Sequence, residues 1–98
     1  MFKPIDIFKG EAFEIEITFS VDVTDVMCVF VDSSGNELNT VGATENDGTY
    51  IIELTSGDTS EAREDVYTIF LEWKESGKQK IATYERYVRI NPKYESND

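Results

Sequence analysis

Residues 13–19, Phe-Glu-Ile-Glu-Ile-Thr-Phe, alternate apolar and polar side chains without a break. In an extended chain successive side chains point to opposite faces, so Phe13, Ile15, Ile17 and Phe19 share one face and Glu14, Glu16 and Thr18 the other. A helix would scatter the same four apolar groups around its circumference. The segment therefore predicts a strand half buried against a core.

The rest of the chain has the same character. A shorter strand is expected at residues 5–8, ended by Lys9-Gly10. Residues 26–31, Val-Met-Cys-Val-Phe-Val, form a short unbroken apolar run rich in β-branched side chains, which predicts a strand covered on both faces. Asp32-Ser33-Ser34-Gly35-Asn36 then supplies turn chemistry, and residues 37–41 return as a weak hairpin strand. The second half repeats this grammar. Asn46-Asp47-Gly48 is a turn, residues 49–55 a strand with Tyr50, Ile52 and Leu54 on one face, and residues 56–65 a polar bridge. Within that bridge Asp58 or Thr59 is suited to cap one short helical turn over residues 60–64. Residues 66–74 are a strand with Tyr67, Ile69, Leu71 and Trp73 together. A Gly-bearing turn follows at 75–80, and a final strand at 81–90 ends at Asn91-Pro92 because proline cannot donate to a ladder. About seven short strands with turn signals at this spacing predict an all-β chain, an immunoglobulin-like antiparallel β-sandwich, with a small barrel as the alternative. At 98 residues this is one domain, expected over residues 1–92, with a flexible tail at 93–98.

Charge narrows the partners. The net charge is −11, and all of it lies in the first part: residues 1–62 hold thirteen Asp/Glu and two Lys, whereas residues 63–98 hold seven of each sign. A nucleic-acid binder needs the opposite sign to neutralise phosphates, and an anionic membrane repels this surface. Neither partner is expected. The acid excess serves solubility through self-repulsion, or steers a basic partner onto the first 62 residues. Residues 1–6 lack the apolar stretch and cleavage site of a signal peptide, which points to an intracellular origin.

No catalytic, cofactor-binding or metal-ligating residue is assigned. The chain has no histidine, so the commonest general base is missing and no Ser-His or Cys-His pair exists. Its single cysteine, Cys28, lies within the apolar run and reads as a small buried hydrophobe rather than a reactive thiol. Carboxylates fall in turns and on polar strand faces, where solvated charges sit. Glu45-Asn46-Asp47-Gly48 resembles the end of a calcium loop, but the first ligand would fall at Ala43, so a turn is favoured. Asp22-Val23-Thr24-Asp25 offers at most a weak ion site. Trp73, Tyr67, Tyr84 and Tyr87 raise the question of a sugar- or protein-binding platform, yet most fit the core phase of their strands. Tyr87 and Phe70 are the expected exposed members.

Several segments together resemble the small immunoglobulin-like domains of tailed-bacteriophage virions. They are the opening Ile7-Phe8-Lys9-Gly10-Glu11-Ala12-Phe13, the stretch at 47–55, Asp58-Thr59, Val66-Tyr67-Thr68-Ile69 and the closing Tyr87-Val88-Arg89-Ile90. The similarity covers residues 5–92 and departs at Asp65, where a glycine is usual before the Val-Tyr strand. The resemblance implies a non-enzymatic virion structural protein without catalytic residues or cofactor, made in the host cytoplasm. It would be an auxiliary capsid or head-fibre attachment protein whose partners are capsid, fibre or baseplate subunits, and it would be multimeric when assembled. The competing expectations are a bacterial immunoglobulin-like adhesion or carbohydrate-binding module and, remotely, a small enzyme or inhibitor.

Overall fold

The computed structural model describes residues 4–92, and within them the chain is built of strands with a single helical turn. The strands are β1 (Pro4–Phe8), β2 (Phe13–Thr18), β3 (Thr24–Val31), β4 (Glu37–Gly42), β5 (Thr44–Asn46), β6 (Thr49–Leu54), β7 (Val66–Glu75), β8 (Lys78–Thr83) and β9 (Tyr87–Asn91), with α1 (Ser56–Ser60) between β6 and β7. They form two sheets. The larger runs β1-β9-β7-β3-β4 with β8 also paired to β7, and the smaller runs β2-β6-β5. Two open sheets facing each other across one core make a sandwich rather than a barrel. The chain crosses between the sheets at β1–β2, β2–β3, β4–β5 and β6–β7, as an immunoglobulin-like sandwich requires.

Period two explains the core. On β2, Ile15 is buried and Phe13, Ile17 and the following Phe19 are half-buried, while Glu14, Glu16 and Thr18 are exposed. Ile52 and Leu54 continue that inner face on β6, where Ile15 lies opposite Ile52 and Phe13 opposite Leu54. The larger sheet answers with Cys28 opposite Leu71 and Phe30 opposite Ile69, joined by Val88, Ile90 and Ile7. Phe13 meets Phe30 edge-on across the sheets, with ring centroids 6.0 Å apart at 90°. Burying side chains of this size contributes roughly 1.5–3 kcal/mol each.

The hairpin turns follow from residue type. Asp47-Gly48 and Ser76-Gly77 each place both residues at positive φ (53° and 84°, 51° and 77°), as a two-residue type I′ connection demands. At β3 the ladder shifts by one residue between Thr24 and Met27, with Asp25 at φ 54° in the resulting bulge.

The structure corrects several expectations. There are nine strands rather than about seven, because three-residue β5 is present and the expected final strand is two. β8 pairs with the later half of β7, β9 pairs with Val66 and Tyr67 at its start, and residues 84–86 break between them. The sheets are not wholly antiparallel, since β1 runs parallel to β9. The helical turn lies four residues earlier than expected. Thr55 is its cap, its side chain accepting from the Asp58 N–H, while Asp58 Oδ2 accepts from the Thr55 N–H at 3.0 Å. This is a capping box, in which Asp58 is the reciprocal partner and not the cap. The polar bridge also contributes to the interior, for Thr59 and Ala62 are both buried. The expected tail at 93–98 lies outside the described residues.

Tyr67, buried at the start of β7, donates its hydroxyl to the Arg63 carbonyl at 2.7 Å, four residues back. This closes the bridge onto the strand as a tyrosine corner. Tyr67→Phe should destabilise the fold by about 1 kcal/mol and lower the thermal midpoint by roughly 4–8 °C, as read by thermal denaturation. Cys28 is fully buried, and desolvation pushes its thiol up to about 12. The native protein should therefore resist a thiol reagent at neutral pH and label only on unfolding; rapid native labelling would overturn the strand phase around Cys28.

Candidate functional site

The two sheets differ sharply in what they show outward. On the smaller sheet the outward positions are Glu14, Glu16 and Thr18 of β2, Thr49, Ile51 and Glu53 of β6, and Thr44 and Asn46 of β5. Glu14 even stands directly opposite Glu53, a like-charge pair that costs stability unless solvent screens it. This face is polar and acidic, the ordinary condition of a sandwich surface.

The outer face of the larger sheet is different. β3 sends Met27, Val29 and Val31 outward, because Cys28 and Phe30 occupy the inward phase. The rows can be read across the ladders. Thr83, Phe70, Val29 and Thr40 form one, and Ile81, Glu72, Met27 and Gly42 the next. Val66 on β7 and Phe8 on β1 point the same way. Among the described residues four large apolar side chains are left exposed, and three lie on this face: Ile81 at 64 %, Phe8 at 49 % and Val66 at 37 %. The apolar run at 26–31 was expected to be covered on both faces. The smaller sheet covers one of them; on the other, Val29 is 9 % exposed and Met27 and Val31 are half-buried.

The remaining candidates are placed as follows. Trp73 is half-buried in the inward phase, its ring 5.1 Å from that of Phe19, and its indole Nε1 is buried without a hydrogen-bond partner. Tyr67 is buried, and Tyr84 packs against the core, its burial raising the phenol's pKa. Tyr87 and Phe70, expected to be exposed, are half-buried. No aromatic platform forms from this group. Asp47-Gly48 is the β5–β6 turn. Asp25 pairs with Lys74 at 3.6 Å across the β3 bulge, apart from Asp22, which lies in the β2–β3 loop. Among the described residues no group of three or more carboxylates or thiols is placed to hold a metal ion. At the same end as Asp22, the β2–β3 loop and the β5–β6 turn border a groove of about 360 Å³ whose lining includes Phe19, Tyr50, Asp22 and Glu45.

The opposite end is tied shut by a polar network that sequence reasoning missed. Thr59 Oγ1 accepts from the Gly10 N–H at 3.0 Å and donates to the Glu11 carbonyl at 2.9 Å, pinning α1 to the β1–β2 loop. Asp65 accepts from the Val66 N–H at 2.7 Å, from the Ser33 hydroxyl at 2.8 Å and from Arg63 at 2.9 Å, and Arg63 also reaches Asp32 at 3.3 Å. The spacing of these residues, 31 and 32 positions apart for Arg63–Asp32 and Asp65–Ser33, leaves no local signal. Asp32 in turn accepts from the N–H groups of Ser34 and Asn36, both at 2.9 Å, which shapes the β3–β4 turn. The network is structural and points away from chemistry: every acceptor oxygen of Asp65 is occupied by the protein itself.

Asp65 is held down to about 2, first by the Val66 N–H and then by Ser33 and Arg63. A depressed carboxyl stabilises the fold above its unfolded value of 3.8 and loses that contribution as pH falls towards 2. Asp65→Asn should thus be less stable than the parent at neutral pH, with the gap narrowing between about pH 4 and pH 2. Urea titrations across that range read the effect; an unchanged gap would mean that the network carries no charge-dependent stability.

No protein-family model matches the chain, and no match is found among curated proteins.

Proposed function

We propose that this chain is a non-enzymatic structural protein of a tailed-bacteriophage virion, an auxiliary capsid or head-fibre attachment protein that works by docking onto other subunits. The observation that carries the docking reading is the outer face of the larger sheet, where the apolar side chains of Ile81, Phe8 and Val66 stand exposed. A sheet face rich in Met, Val, Ile and Phe is the kind of surface that other proteins cover. The virion assignment itself rests on the resemblance of the turn and core segments to immunoglobulin-like virion domains. A sandwich knotted at one end by Thr59, Tyr67 and Asp65 holds such a face rigid, so little conformational freedom is lost on binding. Repetition on a lattice then multiplies modest contacts into firm attachment. The acidic smaller sheet keeps the free chain soluble before assembly.

The carbohydrate-binding alternative draws less support from this geometry. Trp73, Tyr67 and Tyr84 are turned into or against the core and present no flat aromatic strip.

Quantitative mass spectrometry of particles purified from a host expressing the gene in its native phage context reads the assignment directly. The protein should be present in proportion to a structural subunit. Its absence from purified particles would overturn the virion reading.

A further inference from the structure

A strand at the edge of a sheet leaves half of its backbone N–H and C=O groups without a ladder partner, and folded proteins blunt such edges. Among the described residues the strands paired on one side only are β1, β4 and β8 in the larger sheet and β2 and β5 in the smaller. All but one carry a guard. β5 is three residues long. β1 opens on Pro4, which has no N–H to offer. β4 lies along a ladder whose register shifts between Phe30 and Val31. β8 sets Lys78 and Lys80 in the phase of Trp73, on the inward side of its sheet, where an added strand would have to bury charge. β2 has none of these devices. Its six residues, Phe13–Thr18, pair with β6 in an unbroken register and include neither proline nor glycine. On its inner side Phe13 and Ile17 are only half-buried.

What β2 does carry is charge. Glu14 and Glu16 stand on its outer side, with Glu53 opposite Glu14 on β6, and among the described residues none of the three has an ion-pair partner. Carboxylates at alternate positions turn away an acidic strand and attract a basic one. A second copy of this chain fits poorly, since antiparallel pairing about Ile15 would set Glu14 of each copy against Glu16 of the other. We propose that β2 is a strand-addition site whose occupant is an extended segment of another polypeptide, with Lys or Arg at every second position and apolar residues between. The backbone of that segment completes the free side of β2. Its basic side chains pair with Glu14 and Glu16, and its apolar ones cover Phe13 and Ile17. A cation opposite Glu14 also relieves the repulsion between Glu14 and Glu53. This edge is separate from the outer face of the larger sheet, so the inference goes beyond the docking reading and does not depend on it.

Calorimetric titration of the full chain with a peptide of about eight residues alternating Lys and Val tests this, with backbone amide exchange as the structural readout. The peptide should bind, and exchange should slow at amides within residues 13–18. The same residues in block order, all Lys before all Val, keep the charge but lose the alternation. The alternating peptide N-methylated at consecutive central positions keeps both but loses the ladder donors. Each should bind more weakly by an order of magnitude or more. Glu14→Lys combined with Glu16→Lys should lose the basic peptide by a similar factor and take up a peptide alternating Glu and Val instead. Glu61→Lys combined with Glu64→Lys makes the same change of net charge at exposed positions of the β6–β7 bridge and should leave the preference for the basic peptide intact. Circular dichroism melting confirms that both variants fold. Failure of the alternating peptide to bind, equal binding of the block-order or N-methylated peptide, or an unaltered preference in the Glu14 and Glu16 variant overturns the proposal.

Discussion

The antiparallel ladder between β3 and β7 is the interaction on which the rest of the structure depends. It fixes which residues of the apolar run at 26–31 face inward. With Cys28 opposite Leu71 and Phe30 opposite Ile69, the inward phase meets Ile15, Ile52 and Leu54 of the smaller sheet. The same register obliges Met27, Val29 and Val31 to face outward beside Glu72, Phe70 and Thr68. A slip of one residue would exchange the two sets and leave Phe30 in water. Such a slip is prevented by the size of Phe30 and its edge-on contact with Phe13, which the outward phase cannot reproduce. Core and apolar outer face are therefore two consequences of one register, and a strand apolar on both faces cannot supply one without the other.

The ladder alone does not make a sandwich; the crossings between sheets do. Three connections gather at one end, β1–β2, β3–β4 and β6–β7, and each is held by a polar group that would be costly to bury alone. Thr59 satisfies two backbone groups of the β1–β2 loop, Tyr67 satisfies the Arg63 carbonyl, and Asp65 joins the bridge to Ser33 of the β3–β4 turn. Removing the partner of buried Thr59 or Tyr67 costs about 1–3 kcal/mol for the group left unpaired, a large share of a stability near 5–15 kcal/mol. The opposite end carries no comparable network among the described residues. There the chain is closed by the tight turns Asp47-Gly48 and Ser76-Gly77 and by aromatic contact, with Phe19 between Tyr50 and Trp73.

Much of this was legible in the chain wherever a face was buried on one side only. Residues 13–19, 49–55 and 66–74 alternate because the sandwich dries one face and wets the other, and their strands and inward residues were readable from period two. The turns were readable because Gly35, Gly48 and Gly77 sit where φ is positive. What failed had a common cause: the deciding contacts are between residues far apart in sequence. The strand expected at 81–90 divides because the edge of β7 serves two partners, and β9 must also take β1 on its far side. β5 has three exposed residues and no period to detect. Thr59 and Ala62 are small residues in a polar stretch, and their burial is set by the β1–β2 loop above them. Asp58 resembles a helix cap, yet Thr55 holds that position, because in a capping box both members bond and only the backbone geometry tells them apart.

The acidic first part of the chain is divided between surfaces for the same reason. Charge counting pointed to the first 62 residues as a block, but a sandwich does not keep sequence blocks together. Glu14, Glu16 and Glu53 end on one sheet face, whereas Met27 and Val29 from the same block end on the other beside Phe70 and Ile81 from the neutral half. Segregation thus occurs by face and not by position along the chain. One side of the molecule is polar and acidic; the other mixes apolar side chains with the paired charges Asp6–Arg89 and Asp25–Lys74 and with Glu72. The strand phase that makes the core also divides the surface in this way, so that the two outer faces differ although they are built from the same stretches of chain.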